Sequence, residues 1–202
     1  MKLFSYLALG DSYTIGEAVL LRKSFPYQAV QLLRNKGLNI VAPEIIAKTG
    51  WTSGELIEAI NQYKFLPQYD FISLLIGVNN QYRELSIQQY EIELEQLITQ
   101  SITLTAGKPD HVAILSIPDY SITPFAQSMN GYKISKEIDN FNNTNRELAF
   151  RYKLHYIDIT QGTREAKNHP DLIASDGLHP SEKEYARWAE KLSEIIIKTT
   201  AL

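Results

Sequence analysis

Ser12 stands in Gly10-Asp11-Ser12-Tyr13, directly after the apolar run Leu3–Leu9, and His179 stands in Asp176-Gly177-Leu178-His179-Pro180, directly before an amphipathic stretch. Acyl transfer needs a hydroxyl nucleophile, a base within hydrogen-bond reach, a group fixing that base, and donors for the oxyanion. On a tight strand-to-helix turn a Ser Oγ is exposed, and nearby backbone N–H groups point at developing negative charge. Asp176, three residues before His179, is near enough to accept a hydrogen bond from one ring nitrogen. That bond would fix the tautomer whose other nitrogen takes the proton of Ser12. Gly50 offers a backbone N–H that a ligand can approach closely, and Asn79 a carboxamide N–H, as oxyanion donors. Each residue type also has an ordinary role in turns and caps; the combination is what points to chemistry.

These residues need elements to bring them together. Apolar runs rich in β-branched and aromatic residues recur at Leu3–Leu9, Asn39–Ile46, Phe71–Ile76, Val112–Ile117 and Leu154–Ile159, and predict five buried strands. Helical patterns lie between them. Three begin with capping-box signatures, Thr52 with Glu55, Ser86 with Gln89 and Ser181 with Glu184. Ser24 to Lys36 reads as a further helix stopped by Gly37, and another runs from Ile134 through Leu148. The last helix spaces Tyr185, Trp188, Ala189, Leu192, Ile195 and Ile196 at three- and four-residue intervals, which gives it one apolar stripe.

Strands alternating with helices imply a parallel sheet covered on both faces, an α/β fold in three layers. Ligands bind such sheets outside the carboxyl ends of the strands. There the sequence places Gly10–Tyr13, Lys48–Trp51, Gly77–Asn80 and Asp176–Pro180, all expected on one rim. Tyr13, Ile15, Trp51, Asn80, Tyr82, Arg83, Pro118 and Tyr120 follow the same strand ends and are candidates for the pocket wall. Trp51 and Tyr82 could equally pack beneath the loops, and Arg83 could pair with Glu84 or Glu55 at the surface. The stretch from Pro118 to Gly131 is long, aromatic and irregular, as functional loops are.

With 202 residues and 44% hydrophobic content, residues 1–202 are expected to form a single domain. A formal net charge of -3, with both signs scattered, provides no basic stripe for nucleic acid. The absence of cysteine excludes disulfides, thiolate catalysis and cysteine metal sites. His111, His155 and His169 have no ligand spacing and read as structural. Residues 1 to 9 are too short for a membrane span or a complete signal peptide. As given the chain reads as cytoplasmic, or as exported if a signal peptide has been removed.

Together the four segments resemble the SGNH (GDSL-like) hydrolase superfamily, which carries Ser, Gly, Asn and His in four blocks in this order. Gly10-Asp11-Ser12 matches the first block, Gly50 the second, Gly77-Val78-Asn79-Asn80 the third and Asp176-Gly177-Leu178-His179-Pro180 the last. The resemblance implies a flavodoxin-like five-stranded sheet and a Ser12–His179–Asp176 triad. It also implies an oxyanion hole made by the N–H groups of Ser12 and Gly50 with the Asn79 side chain. Tyr13 replaces the Leu of the family's short name, and Asn80 replaces the usual Asp, which loosens any transfer of substrate preference.

The expected activity is hydrolysis of a small-molecule carboxylic ester through an acyl-enzyme, with no metal or cofactor required. Short-chain esters, acetylated sugars, lysophospholipids and thioesters present the same carbonyl; the modest chain length favours small acyl groups. An acyltransferase would use the same triad with an alcohol in place of water. A noncatalytic flavodoxin-like module holding phosphate is disfavoured, because Asp11 puts a carboxylate where a phosphate cradle would avoid one.

Overall fold

A computed structural model describes residues 2–200. Five strands form one parallel sheet: β1 Tyr6–Asp11, β2 Glu44–Lys48, β3 Phe71–Leu75, β4 Val112–Leu115 and β5 His155–Ile157, in the order β2-β1-β3-β4-β5. Every residue of β1, β3 and β4 is buried, whereas the edge strands β2 and β5 are only partly so. Central strands of a parallel sheet are covered on both faces, which explains their unbroken apolar runs. The second strand begins later than its apolar run, because Ile40 makes only an isolated bridge to Phe4 and Pro43 has no N–H to give a ladder.

Among the described residues eight α-helices connect and flank the strands: α1 Ser12–Ile15, α2 Phe25–Asn35, α3 Ser53–Asn61, α4 Val78–Tyr82, α5 Ile87–Leu104, α6 Gly131–Tyr152, α7 Thr160–Arg164 and α8 Glu182–Thr200. The step from β1 to β2 runs toward one edge of the sheet, and all later steps run toward the other. Right-handed crossovers therefore put α2 on one face and α3, α5 and α6 on the opposite one. α8 returns to pack beside α2. Trp188 of α8 fills that seam, with its ring centroid 6.0 Å from Phe25 and 6.4 Å from Tyr13. This packing anchors the helix that follows His179 against the turn that carries Ser12.

The helix starts form by different means. Thr52 and Glu55 close a reciprocal capping box: the Thr52 N–H donates to Glu55 Oε2 at 2.8 Å, and Thr52 Oγ1 accepts from the Glu55 N–H. Ser86 accepts from the Gln89 N–H, but the Gln89 amide turns to Glu93 instead of back to the cap. The box expected at Ser181 and Glu184 does not form. Ser181 donates to the Asp171 carbonyl, and the Glu184 carboxylate is buried, accepting from Trp188 Nε1 at 2.8 Å. An indole N–H in a core needs an acceptor, and Glu184, one helical turn away, supplies it.

Candidate active site

The strand order decides the geometry of the site. β1 lies between β2 and β3, so the three turns after them sit side by side at the switch point where the chain reverses direction across the sheet. Parallel register carries this through to the ends, with Asp11 opposite Lys48 and Gly10 opposite both Ala47 and Leu75. Gly10 permits the closeness. A Cβ there would lie 2.4 Å from the Leu75 carbonyl oxygen and 2.1 Å from Thr14 Oγ1.

Ser12 is the first residue of α1 and is nearly buried. Asp11 caps the helix in its place, with Oδ1 accepting the Tyr13 N–H at 3.0 Å. The Ser12 hydroxyl is thereby spared the capping task. Burial pushes the Asp11 carboxyl up to about 7, against the pull of its hydrogen bonds from the Tyr13 and Asp11 backbone.

His179 is held from its own loop. Asp176 Oδ1 accepts the N–H groups of Leu178 and His179, both at 3.0 Å, and Oδ2 lies 2.5 Å from His179 Nδ1. Burial alone would raise the Asp176 carboxyl, but the bonds from the His179 ring and these two N–H groups outweigh it and hold it below the ordinary carboxylate range. An ionised Asp176 keeps the proton on Nδ1 and leaves Nε2 as the basic nitrogen. The loop is fixed at both ends: Ala174 N–H donates to the His179 carbonyl at 2.8 Å, and Phe125 N–H to that of Gly177 at 3.0 Å. Tyr13 packs against the imidazole, centroid to centroid 5.1 Å.

Gly50 adopts φ +84°, in the left-handed region that favours glycine. Among the described residues its N–H donates to no protein group. Its carbonyl is engaged by Arg83 Nη2 at 2.6 Å. Asn79 Nδ2 donates to the Trp51 carbonyl at 2.9 Å and lies 3.5 Å from Asp11 Oδ2.

Ser12, Asn79 and His179 line one cavity of about 110 Å3, completed by Tyr13, Val78, Tyr82, Tyr120, Phe125 and Leu178. Five candidate wall residues, Ile15, Trp51, Asn80, Arg83 and Pro118, do not line it. Asn80 is buried, accepting from the Ser53 N–H at 3.0 Å and donating to Ser53 Oγ at 2.7 Å, so it ties α4 to α3. Trp51 packs against the core and contributes only its carbonyl. Arg83 reaches Gly50 and Glu55, the latter at 3.3 Å.

Val78, Phe125 and Leu178 were not anticipated from the sequence. Phe125 belongs to the irregular aromatic stretch after β4, whose composition was the available signal. Its ring meets Tyr82 and Tyr120 at 6.0 and 6.3 Å, forming an aromatic side to the cavity. Tyr120 is fixed by donation to Gln81 Oε1 at 2.9 Å. Asp119 secures the base of this loop through a 2.8 Å ion pair with Arg164 and the Ser121 N–H.

Among the described residues no helix is long and apolar enough to cross a membrane. No curated protein matches the sequence. Solved structures do match its fold. TesA superposes with a TM-score of 0.77 at 15% identity, covering 96% of this chain and 99% of its own. Axe2, an acetylxylan esterase from Geobacillus stearothermophilus, gives 0.74 at 20% identity, covering 97% and 96%. The psychrotrophic esterase EstA from Pseudoalteromonas sp. gives 0.68 at 18%, covering 98% and 99%. At these identities the likeness speaks for the fold. The family is identified by sequence, since residues 8–187 match the GDSL-like Lipase/Acylhydrolase family. That span takes in all four blocks, from the turn after β1 to the His179 loop, and the chain therefore belongs to the GDSL-like lipase/acylhydrolase family, whose members hydrolyse esters.

Proposed function

We propose that the protein cleaves carboxylic esters of small acyl groups through an acyl-enzyme on Ser12. Ser12 Oγ attacks the carbonyl carbon while His179 Nε2 takes its proton. The N–H groups of Ser12 and Gly50 and the Asn79 carboxamide receive the oxyanion. Collapse breaks the bond to the alcohol oxygen, which leaves with the proton from the imidazolium. Water then repeats the sequence: Nε2 removes its proton, its oxygen attacks the acyl carbon, and Ser12 Oγ departs and recovers the proton. Asp176 stabilises the imidazolium in both halves without being protonated.

The observation that carries this reading is the 2.5 Å Asp176–His179 contact, made by a histidine that shares its cavity with Ser12 and Asn79. A space of about 110 Å3 falls well under the roughly 300–1,000 Å3 of pockets that enclose drug-sized ligands. Its wall is apolar and aromatic without Lys or Arg, which favours a short, uncharged acyl group. Across p-nitrophenyl esters of increasing length, kcat/KM is expected to peak at acetate to butyrate and then fall. A maximum at long acyl chains would overturn the small-acyl assignment.

The Asn79→Ala variant tests the oxyanion hole separately. Loss of one donor costs about 2.7–4 kcal/mol of transition-state stabilisation, so kcat should drop roughly 10²–10³-fold with KM nearly constant. Undiminished turnover by the folded variant would exclude Asn79 from that role.

A further inference from the structure

An ester held at Ser12 has two ends, and the cavity described above has room for the short one. Beside it lies a trough of about 240 Å3 that meets the cavity at Tyr82 and Tyr120, residues that line both. The trough continues into a further hollow of about 350 Å3, with Gln81, Glu84, Lys133 and Glu137 common to the two. The change in character is abrupt. Where the cavity wall is apolar and aromatic, the trough is bedded on two carboxylates, one ammonium and the amides of Gln81 and Asn130.

These groups are tied to one another and, through Gln81, to the cavity wall. Lys133 Nζ lies 2.6 Å from Glu84 Oε1 and 3.8 Å from Glu137 Oε1. Gln81 Nε2 donates to Glu137 Oε2 at 2.8 Å, while Gln81 Oε1 accepts from the Tyr120 hydroxyl. The bond to Lys133 holds the Glu84 carboxyl below its ordinary range and raises the ammonium, so both stay charged. Glu84 reaches this place under strain. It follows α4 at φ +53°, in left-handed backbone where glycine is the usual residue.

We propose that this trough is the subsite for the alcohol part of the ester and that it takes a neutral, polyhydroxylated alcohol, a saccharide. The inference rests on the ester-cleaving role proposed for Ser12. Charge decides among the alcohols. An anionic group meets two carboxylates against one ammonium, and a cationic group meets Lys133 between them. An alkyl chain would strip water from these charged groups and return no hydrogen bond. A sugar hydroxyl both donates and accepts, so one ring can serve carboxylate, ammonium and amide together. Tyr82, half exposed where trough and cavity meet, offers an aromatic face to the C–H side of that ring.

Acetates that share their acyl group isolate the alcohol. For the wild type, kcat/KM with 6-O-acetylglucose should exceed that with hexyl acetate, acetylcholine or acetoxyethyl phosphate by at least about tenfold, which one hydrogen bond to a charged group can supply. Glu84→Gly removes a carboxylate and suits the left-handed backbone, so it should melt no lower than the parent. Its preference for 6-O-acetylglucose over hexyl acetate should nonetheless fall at least about fivefold. Lys133→Met leaves two carboxylates without their cation, and the preference should swing toward acetylcholine by at least about tenfold. Each preference is a ratio within one enzyme, so a general loss of rate cancels.

A wild-type preference for any of the three rival acetates, equal rates with all four, or an unmoved ratio in either folded variant would overturn the subsite. Ser12→Ala separates it from the reading beneath. Saturation-transfer NMR should show the glucose ring of 6-O-acetylglucose bound to that variant, and more weakly to the Ser12→Ala/Lys133→Met double variant. If the wild type cleaves none of the acetates while this binding is seen, the ester-cleaving reading falls and the trough stands as a saccharide site. If no saturation reaches the ring, the saccharide assignment falls.

Discussion

Ser12→Ala is expected to abolish ester hydrolysis while leaving the protein folded. The fold tolerates the change because α1 is capped by Asp11, not by the Ser12 hydroxyl, and no hydrogen bond of the described residues uses Ser12 Oγ. The proposed mechanism does not tolerate it: without Oγ it has no atom to carry the acyl group, and His179 has no proton to take. Where the same role has been removed from a triad, kcat falls by on the order of 10⁶, and the remainder comes from the oxyanion hole and binding. The measurement is turnover of p-nitrophenyl acetate beside a thermal melt. A variant that melts like the parent and still hydrolyses the ester at a comparable rate would remove Ser12 from the mechanism.

Asp176→Asn should be nearly as damaging, for a subtler reason. Its remaining oxygen continues to accept from the Leu178 and His179 N–H groups, so the loop keeps its shape. The new NH2 group then faces His179 Nδ1, which must become an acceptor, and the proton moves to Nε2. The imidazole is left in the tautomer that cannot accept a proton from Ser12. An exchange of this kind that preserves geometry costs about 10⁴ in kcat. The pH dependence follows from the depressed Asp176 carboxyl. Its hydrogen bonds are intact above the ordinary carboxylate range and are lost only as pH falls through its lowered pKa. In the wild type, therefore, Asp176 should stay ionised through the ordinary carboxylate range, and its protonation should not limit activity there. Near-normal turnover in Asp176→Asn would show that the 2.5 Å contact is structural only.

Much of the architecture was legible from local pattern. Buried central strands read as continuous apolar runs because both of their faces are covered, and all five appeared in the sequence in the right order. The Thr52 capping box was equally readable, since both partners lie within one helical turn. At Ser181 the same local signature misled: Glu184 is drawn away by the indole of Trp188, a partner that only the packed α8 brings into play. The start of β2 was misplaced because the apolar run continues across Pro43, which cannot join the ladder.

Within the site, the sequence by itself determined which residue types stand at the strand ends: Ser12, Gly50, Asn79, Asp176 and His179, together with the α/β class that turns strand ends into a rim. The tertiary structure decided how those side chains face. Asn79 and Asn80 are neighbours in α4, yet one lines the cavity and the other binds Ser53 inside the protein. Successive helical residues point about 100° apart, and nothing in the pair of letters says which is turned inward. Likewise Arg83 and Trp51 are directed to the Gly50 turn and the core, while Val78, Phe125 and Leu178 enter from three separate segments to build the wall. Such contacts depend on the order of strands in the sheet and the path of the loop after β4. Composition and spacing carry the local periodicity of each element, whereas the meeting of distant segments is settled only when the core packs.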